Sequence, residues 1–305
     1  TVSDCVMDGG GTALRGVWIR DGFATGSLVR GCRISRVVTA GIVAEGPFAV
    51  IEGNLVDDLD FDGIVIVGVS SSITGNTVRD CDRYGIVVGD AEVVEAADDC
   101  SVVGNTLNDC LIAGIRLADD FCLASGNTVR GCGVGIEVTS NASNCIVQGN
   151  TLRTCLGVSI RMSGPDCVVQ DNIVLTGGNV GIQADLEAFR YSVHGNSIRG
   201  CTGNGISAPG ISEGIISDNF VSASGVVCGD IVNSISLVVT GNRLSRATVG
   251  GTKEIDATNA VKLTLIGNRC QLEDGTLGDI TASDAVFADQ NIIQHNFGKV
   301  SGVTT

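Results

Sequence analysis

One phrase recurs along most of this chain: apolar, polar, Gly or Asp, Asn, polar, apolar. Its asparagine falls at Asn54, Asn76, Asn105, Asn127, Asn150, Asn172, Asn196, Asn219, Asn242, Asn268 and Asn296, mostly 22 to 24 residues apart. A period in this range builds stacked supersecondary units, each burying its apolar face against its neighbours. Val29-Arg30-Gly31-Cys32 and Val2-Ser3-Asp4-Cys5 carry the phrase with Cys in place of Asn. The pattern is therefore already running at Thr1, which reads as a segment processed or excised from a longer chain, and about thirteen turns are expected.

A second phrase follows about ten residues later, as Gly63-Ile64, Gly85-Ile86, Gly114-Ile115, Gly135-Ile136, Gly181-Ile182 and Gly205-Ile206. It reads as another bend followed by a strand. Each period thus holds short strands separated by bends, too short for a helical crossover, so successive turns must pair parallel strands directly above one another. Abundant glycine, with 43 residues against three prolines, fits many tight bends.

Asparagine suits such a bend because its amide can bond turn backbone and also the amide of the next coil, satisfying groups buried in the corner. On these ladder asparagines the sequence resembles the pectate-lyase-like superfamily of right-handed parallel β-helices, over almost its whole length. The resemblance implies an all-β, right-handed parallel β-helix of about thirteen coils, a single domain over 1–305 with atypical coils from about 243 onward. It is specific for fold and unspecific for activity, since that superfamily is similar in shape across lyases, hydrolases, epimerases, phage tailspikes and adhesins.

The formal charge of -15 would repel a phosphate backbone, so nucleic acid is not expected as a partner. No apolar run approaches the ~18 residues of a membrane helix, so no membrane partner is expected either. The thirteen cysteines follow the coil period and no metal-ligand spacing. Cys81, Cys110, Cys132, Cys155 and Cys201 lie five residues after a ladder asparagine, and Cys100, Cys122, Cys145 and Cys167 lie five before one. Stacked at about 4.8 Å, they are too far apart for the ~3.8 Å Cβ separation of a disulfide. Free, buried thiols are expected, which fits assembly in a reducing compartment, as for a virion part, better than an oxidising export route.

In the superfamily it resembles, the substrate groove runs along the strand after the Gly-Ile bend. The outward column there is Trp18, Val43, Val65, Val87, Arg116, Glu137, Arg161, Gln183 and Ser207. The apolar stretch reads as either covered by a loop or, the favoured reading, buried against another subunit in a homo-oligomer such as a trimer. The polar stretch gives the candidate site: Glu137, Arg161, Arg116 and Asp185 as catalytic residues, with Gln183, Tyr84, Asp119 and Asp120 binding substrate. Arginines there would bind carboxylates, suiting a polysaccharide, especially an acidic one. The bland alternative is a ladder of charges stabilising neighbouring strands.

Acids also gather before that strand at Asp57, Asp58, Asp60, Asp62, Asp80, Asp82 and Asp109. They read as solvated turn residues, as carboxylates for glycoside hydrolysis, or as a calcium site, Ca2+ being the sole cofactor considered. The insertion of residues 89–99 could overhang the groove. His194 and His295 are not expected to be catalytic bases. The segment from Lys253 to Ala260 reads as an inserted loop, and Asn291 to Phe297 as a last coil before a tail. Three functions stay open: a polysaccharide-degrading β-helix of the tailspike, lyase or glycoside hydrolase kind, a noncatalytic structural or adhesin shaft, and, more weakly, a uronate epimerase.

Overall fold

A computed structural model describes residues 1–20, 26–89, 97–175, 178–186, 188–222, 229–246, 255–272, 279–281, 292–294, 296 and 299–301. The chain divides into two compact units, Thr1–Thr151 and Leu152–Thr305. All of the regular structure among the described residues is strand, and no helix is long and apolar enough to cross a membrane.

In the first unit the coils from Val50 onward contribute three strand segments, such as Ser72–Thr74, Thr77–Cys81 and Tyr84–Val88, and in the two coils before them the last two segments run together as Val6–Ile19 and Arg33–Ala44. Each pairs in parallel with the equivalent segment one coil on, which is the pairing of a parallel β-helix. The inward columns are unbroken. Val29, Ile51, Ile73, Val102, Ala124 and Val147 stand in one register, and Ile34, Val56, Val78, Leu107 and Val129 in a second. Ile42, Ile64, Ile86, Ile115 and Ile136 form the third. These side chains are buried, and the alternation of strand side chains leaves their neighbours facing outward.

The second unit repeats the plan. Val169, Val193, Ile216, Val239 and Leu265 share one register, Val174, Ile198, Val221 and Leu244 another, and Ile160, Ile182 and Ile206 the third.

The asparagine ladder holds the corner. Within the first unit the Asn76 amide nitrogen and backbone N–H both donate to Asn105 Oδ1, at 3.0 and 2.9 Å, and Asn76 Nδ2 also reaches the Ile51 carbonyl at 2.9 Å. In the second, Asn196, Asn219, Asn242 and Asn268 repeat the scheme. The residue before many ladder asparagines is a left-handed glycine, for example Gly75 at φ 61°, a conformation that other residues adopt at a cost.

The glycines of the Gly-Ile phrase do something other than bend the chain. Gly63 lies inside the strand Asp62–Ile66, where a Cβ would come within 2.4 Å of both the Gly85 carbonyl oxygen and Val78 Cγ1. Close approach of one coil to the next excludes a side chain there.

All twelve described cysteines are free thiols, and all but Cys5 are buried. Cys81 and Cys110 are register partners. In the other column the thiols also hydrogen-bond, Cys122 Sγ donating to the Ala97 carbonyl at 3.4 Å and Cys145 Sγ to the Asp119 carbonyl at 3.3 Å. Ser71 holds the equivalent corner one coil before Cys100, with its hydroxyl donating to the Gly68 carbonyl. These cysteines are thus corner hydrogen-bonding groups as well as small core residues.

Candidate functional site

The strand carrying the inward Ile64, Ile86 and Ile115 column presents the alternate positions outward. In the first unit Val43, Val65, Val87, Arg116 and Glu137 stand in register. The three valines are only 6, 8 and 4% exposed and pack with Ala40, Val67 and Tyr84. These three are covered within one chain, by side chains that close around them from neighbouring coils, whereas Trp18, the first of the apolar stretch, is 41% exposed. Two adjoining clefts, of about 170 and 100 Å3, open over this stretch and share Phe61, Asp62 and Val65.

Beyond the valines the column turns polar. Arg116 Nε lies 3.6 Å from Glu137 Oε2, both side chains about one-fifth exposed, and the Arg116 guanidinium stands 5.3 Å from the Tyr84 ring centroid. Three expected site residues of this unit, Arg116, Glu137 and Tyr84, are therefore brought together.

Asp119 and Asp120 are engaged elsewhere. Asp119 Oδ2 accepts the Ala97 N–H at 2.8 Å and Asp120 Oδ1 the Ser143 N–H at 2.6 Å, so both carboxylates tie one coil's turn to another's backbone. Burial raises the Asp119 carboxyl, and the Ala97 hydrogen bond opposes that.

In the second unit Arg161, Gln183, Ser207, Asp230 and Asp256 follow one another in the outward column. Asp185 gathers three side chains: Gln183 Nε2 donates to it at 2.6 Å, Ser163 Oγ at 2.8 Å, and Arg161 Nε stands 3.7 Å away. A pocket of about 320 Å3 opens beside them, lined by Gln183, Asp185, Leu186, Pro209 and Asn233 among others.

The same column holds a carboxylate the sequence reading passed over. Asp230 Oδ2 accepts hydrogen bonds from Asn204 Nδ2 at 2.9 Å and Ser207 Oγ at 3.2 Å. Burial raises its carboxyl above the usual range; hydrogen bonds from the Val232 backbone and Ser207 act against this, and the nearby Asp256 charge adds to it. The signal was present as the register position one coil after Ser207, but Gly229-Asp230 breaks the Gly-Ile phrase used to find the column.

The turn acids do not converge. Asp57 is held by Arg79 at 2.8 Å and Arg33 at 3.6 Å, Asp62 Oδ1 accepts the Tyr84 N–H at 3.2 Å, and Asp58, Asp80 and Asp109 occupy left-handed bend positions. Among the described residues no group of three or more His, Cys, Asp or Glu side chains forms a metal-binding set, which gives the calcium reading no support. Residues 90–96 of the insertion, Lys253, Asn291, His295 and Phe297 lie outside the described residues. His194 sits on the strand Tyr191–His194, in the sheet that does not carry this column.

A family described as "Right handed beta helix region" matches residues 1–90 and 62–208. A second, described as "Periplasmic copper-binding protein (NosD)", matches residues 156–298. Copper favours imidazole and thiolate donors, and no such set assembles among the described residues of that stretch, so they do not fit a copper site. No curated protein matches the chain in sequence. Among solved structures, the Dettilon tailspike protein is similar at a TM-score of 0.57 and 16% identity, over 98% of this chain and 61% of its own, so the chain spans under two thirds of that protein. The A-module of the mannuronan C-5 epimerase AlgE4 from Azotobacter vinelandii is similar at 0.68 and 11% identity, over 91% of this chain and 87% of the module. DFA-IIIase from Arthrobacter chlorophenolicus A6, without its lid, is similar at 0.60 and 13% identity, over 90% of this chain and 88% of the enzyme. At these identities the likeness is one of fold.

Proposed function

Because the chain belongs to the right-handed beta helix family, we propose that it binds and degrades a polysaccharide along the outward column of the second unit, which carries Arg161, Gln183, Ser207 and Asp230. The observation that carries this reading is the Asp185 cluster: a carboxylate with Arg161, Gln183 and Ser163 around it, beside an open pocket, on a face whose other outward residues include the desolvated Asp230.

Glycoside hydrolysis needs a carboxylic acid that can donate a proton and a second carboxylate. Asp230, whose burial favours the protonated form, would take the first role, and Asp256, its register partner one coil on, would take the second. Arg161, Asp185 and Gln183 would position the sugar in this unit, and Arg116, Glu137 and Tyr84 would do so in the other. The tailspike, the epimerase module and DFA-IIIase among the similar folds are consistent with a carbohydrate ligand. The competing reading, a noncatalytic shaft, draws on the same column: Arg116 with Glu137 and Arg161 with Asp185 are ion pairs between or along neighbouring strands.

A panel of acidic and neutral polysaccharides incubated with the chain separates the two. New reducing ends that are lost in Asp230→Asn and fall ~10–100-fold in Arg161→Ala, the range for a charged hydrogen bond, establish hydrolysis in the second unit. Absorbance of unsaturated uronates at about 235 nm would assign a lyase instead. No product across the panel from the folded chain would leave the shaft.

A further inference from the structure

The smaller cleft of the first unit has a composition that the charge ladder does not account for. Val65 and Val87 line it, and Asp62, Arg83, Tyr84 and Arg116 complete it with Phe61. The arginines are set by rings as well as by acids: the Arg83 guanidinium lies 4.0 Å from the Phe61 centroid and 5.1 Å from that of Tyr84, and Arg116 lies 5.3 Å from Tyr84. A guanidinium has five N–H donors, and a carboxylate accepts several hydrogen bonds at once. At about 100 Å3 the cleft is small beside the ~300–1,000 Å3 of ordinary ligand pockets. It has room for a substituent and little more.

We infer that this cleft is a subsite for the acetamido group of an N-acetylated sugar. The group's three parts meet three features. Its methyl would rest on Val65 and Val87, its carbonyl oxygen would accept from Arg83, and its N–H would donate to Asp62. Other common substituents match less well. A carboxylate would face Asp62, and a bare hydroxyl would offer a single polar atom to a cleft that presents both guanidinium donors and a carboxylate acceptor. The inference rests on the carbohydrate reading above and narrows it to polymers containing N-acetylamino sugars.

Saturation-transfer NMR on the full chain tests it without requiring turnover, using N-acetylglucosamine, N-acetylgalactosamine and N-acetylmannosamine, each against glucose, galactose or mannose. The expected result is the strongest transfer at the acetyl methyl protons and binding at least about fivefold tighter than the matched hydroxyl sugar, close to the factor for burying one methyl-sized group. That preference should vanish in Arg83→Gln, a surface change that leaves the core intact, and in Val87→Asp if that variant folds. Equal binding of both members of every pair overturns the inference and spares the carbohydrate reading. A preference that survives Arg83→Gln overturns the placement. Absence of binding by all six sugars overturns the inference, while polymer cleavage, assayed separately, still decides the reading on which it rests.

Discussion

Asn204 donates to Asp230 Oδ2 at 2.9 Å from one coil to the next, holding a carboxylate that burial biases toward its protonated form. A carboxyl whose folded pKa lies above its unfolded value of about 3.9 favours the folded state most fully below that value, and the contribution is lost as pH rises through the folded pKa. Asp230→Asn therefore removes a group that is unfavourable when ionised. Its melting temperature should exceed that of the parent at pH 7, with the difference shrinking toward pH 3. Thermal melts at both pH values check the sign, and equal differences at the two would contradict it.

The asparagine ladder makes a sharper demand on stability. Asn127 Oδ1 accepts both the Asn105 N–H and its Nδ2, while Asn127 Nδ2 donates to the Val102 carbonyl and Asn150 Oδ1. Asn127→Ala strands several buried groups, each costing about 1–3 kcal/mol. A loss of at least ~3 kcal/mol in denaturant unfolding is expected. A cost below ~1 kcal/mol would mean that the ladder is ornamental to stability.

Thiol chemistry should follow the coil columns. For Cys100 a hydrogen bond with Cys122, and then burial, push the thiol far above its ordinary range. For Cys132 the hydrogen bond with Cys110 and then burial do the same. Since the thiolate is the reactive form, iodoacetamide followed by peptide mapping should label Cys5 ahead of the other described cysteines in the native protein. Rapid native labelling of Cys122 or Cys132 would contradict their placement.

Much of this architecture was legible in the sequence, because a parallel solenoid repeats its chemistry at fixed intervals. Asn76 and Asn105 mark a corner whatever lies between them, and the thiols of Cys81 and Cys110 follow from the same phase. The outward column was readable as far as Ser207. What failed were features that depend on the neighbouring coil's side chains. Gly63 looked like a bend residue, although the constraint on it comes from Val78 and Gly85 one coil away. Val65 was assigned to the outer face correctly, yet the sequence gives no sign that Phe61, Arg83 and Tyr84 close around it. Asp119 and Asp120 look available to a ligand in sequence, and only the backbone amides of Ala97 and Ser143 show where their oxygens go. Asp230 was missed because glycine followed by aspartate replaces the apolar marker at its coil.

The most direct measurement is a crystal structure of the chain soaked with an oligosaccharide from whichever polysaccharide it binds or cleaves. The account predicts sugar density across the second unit's outward column, with hydrogen bonds to Gln183 or Asp185 and a glycosidic oxygen within about 3 Å of Asp230, the reach for proton transfer. Sugar bound on the sheet that carries His194, with the outward column bare, would contradict it.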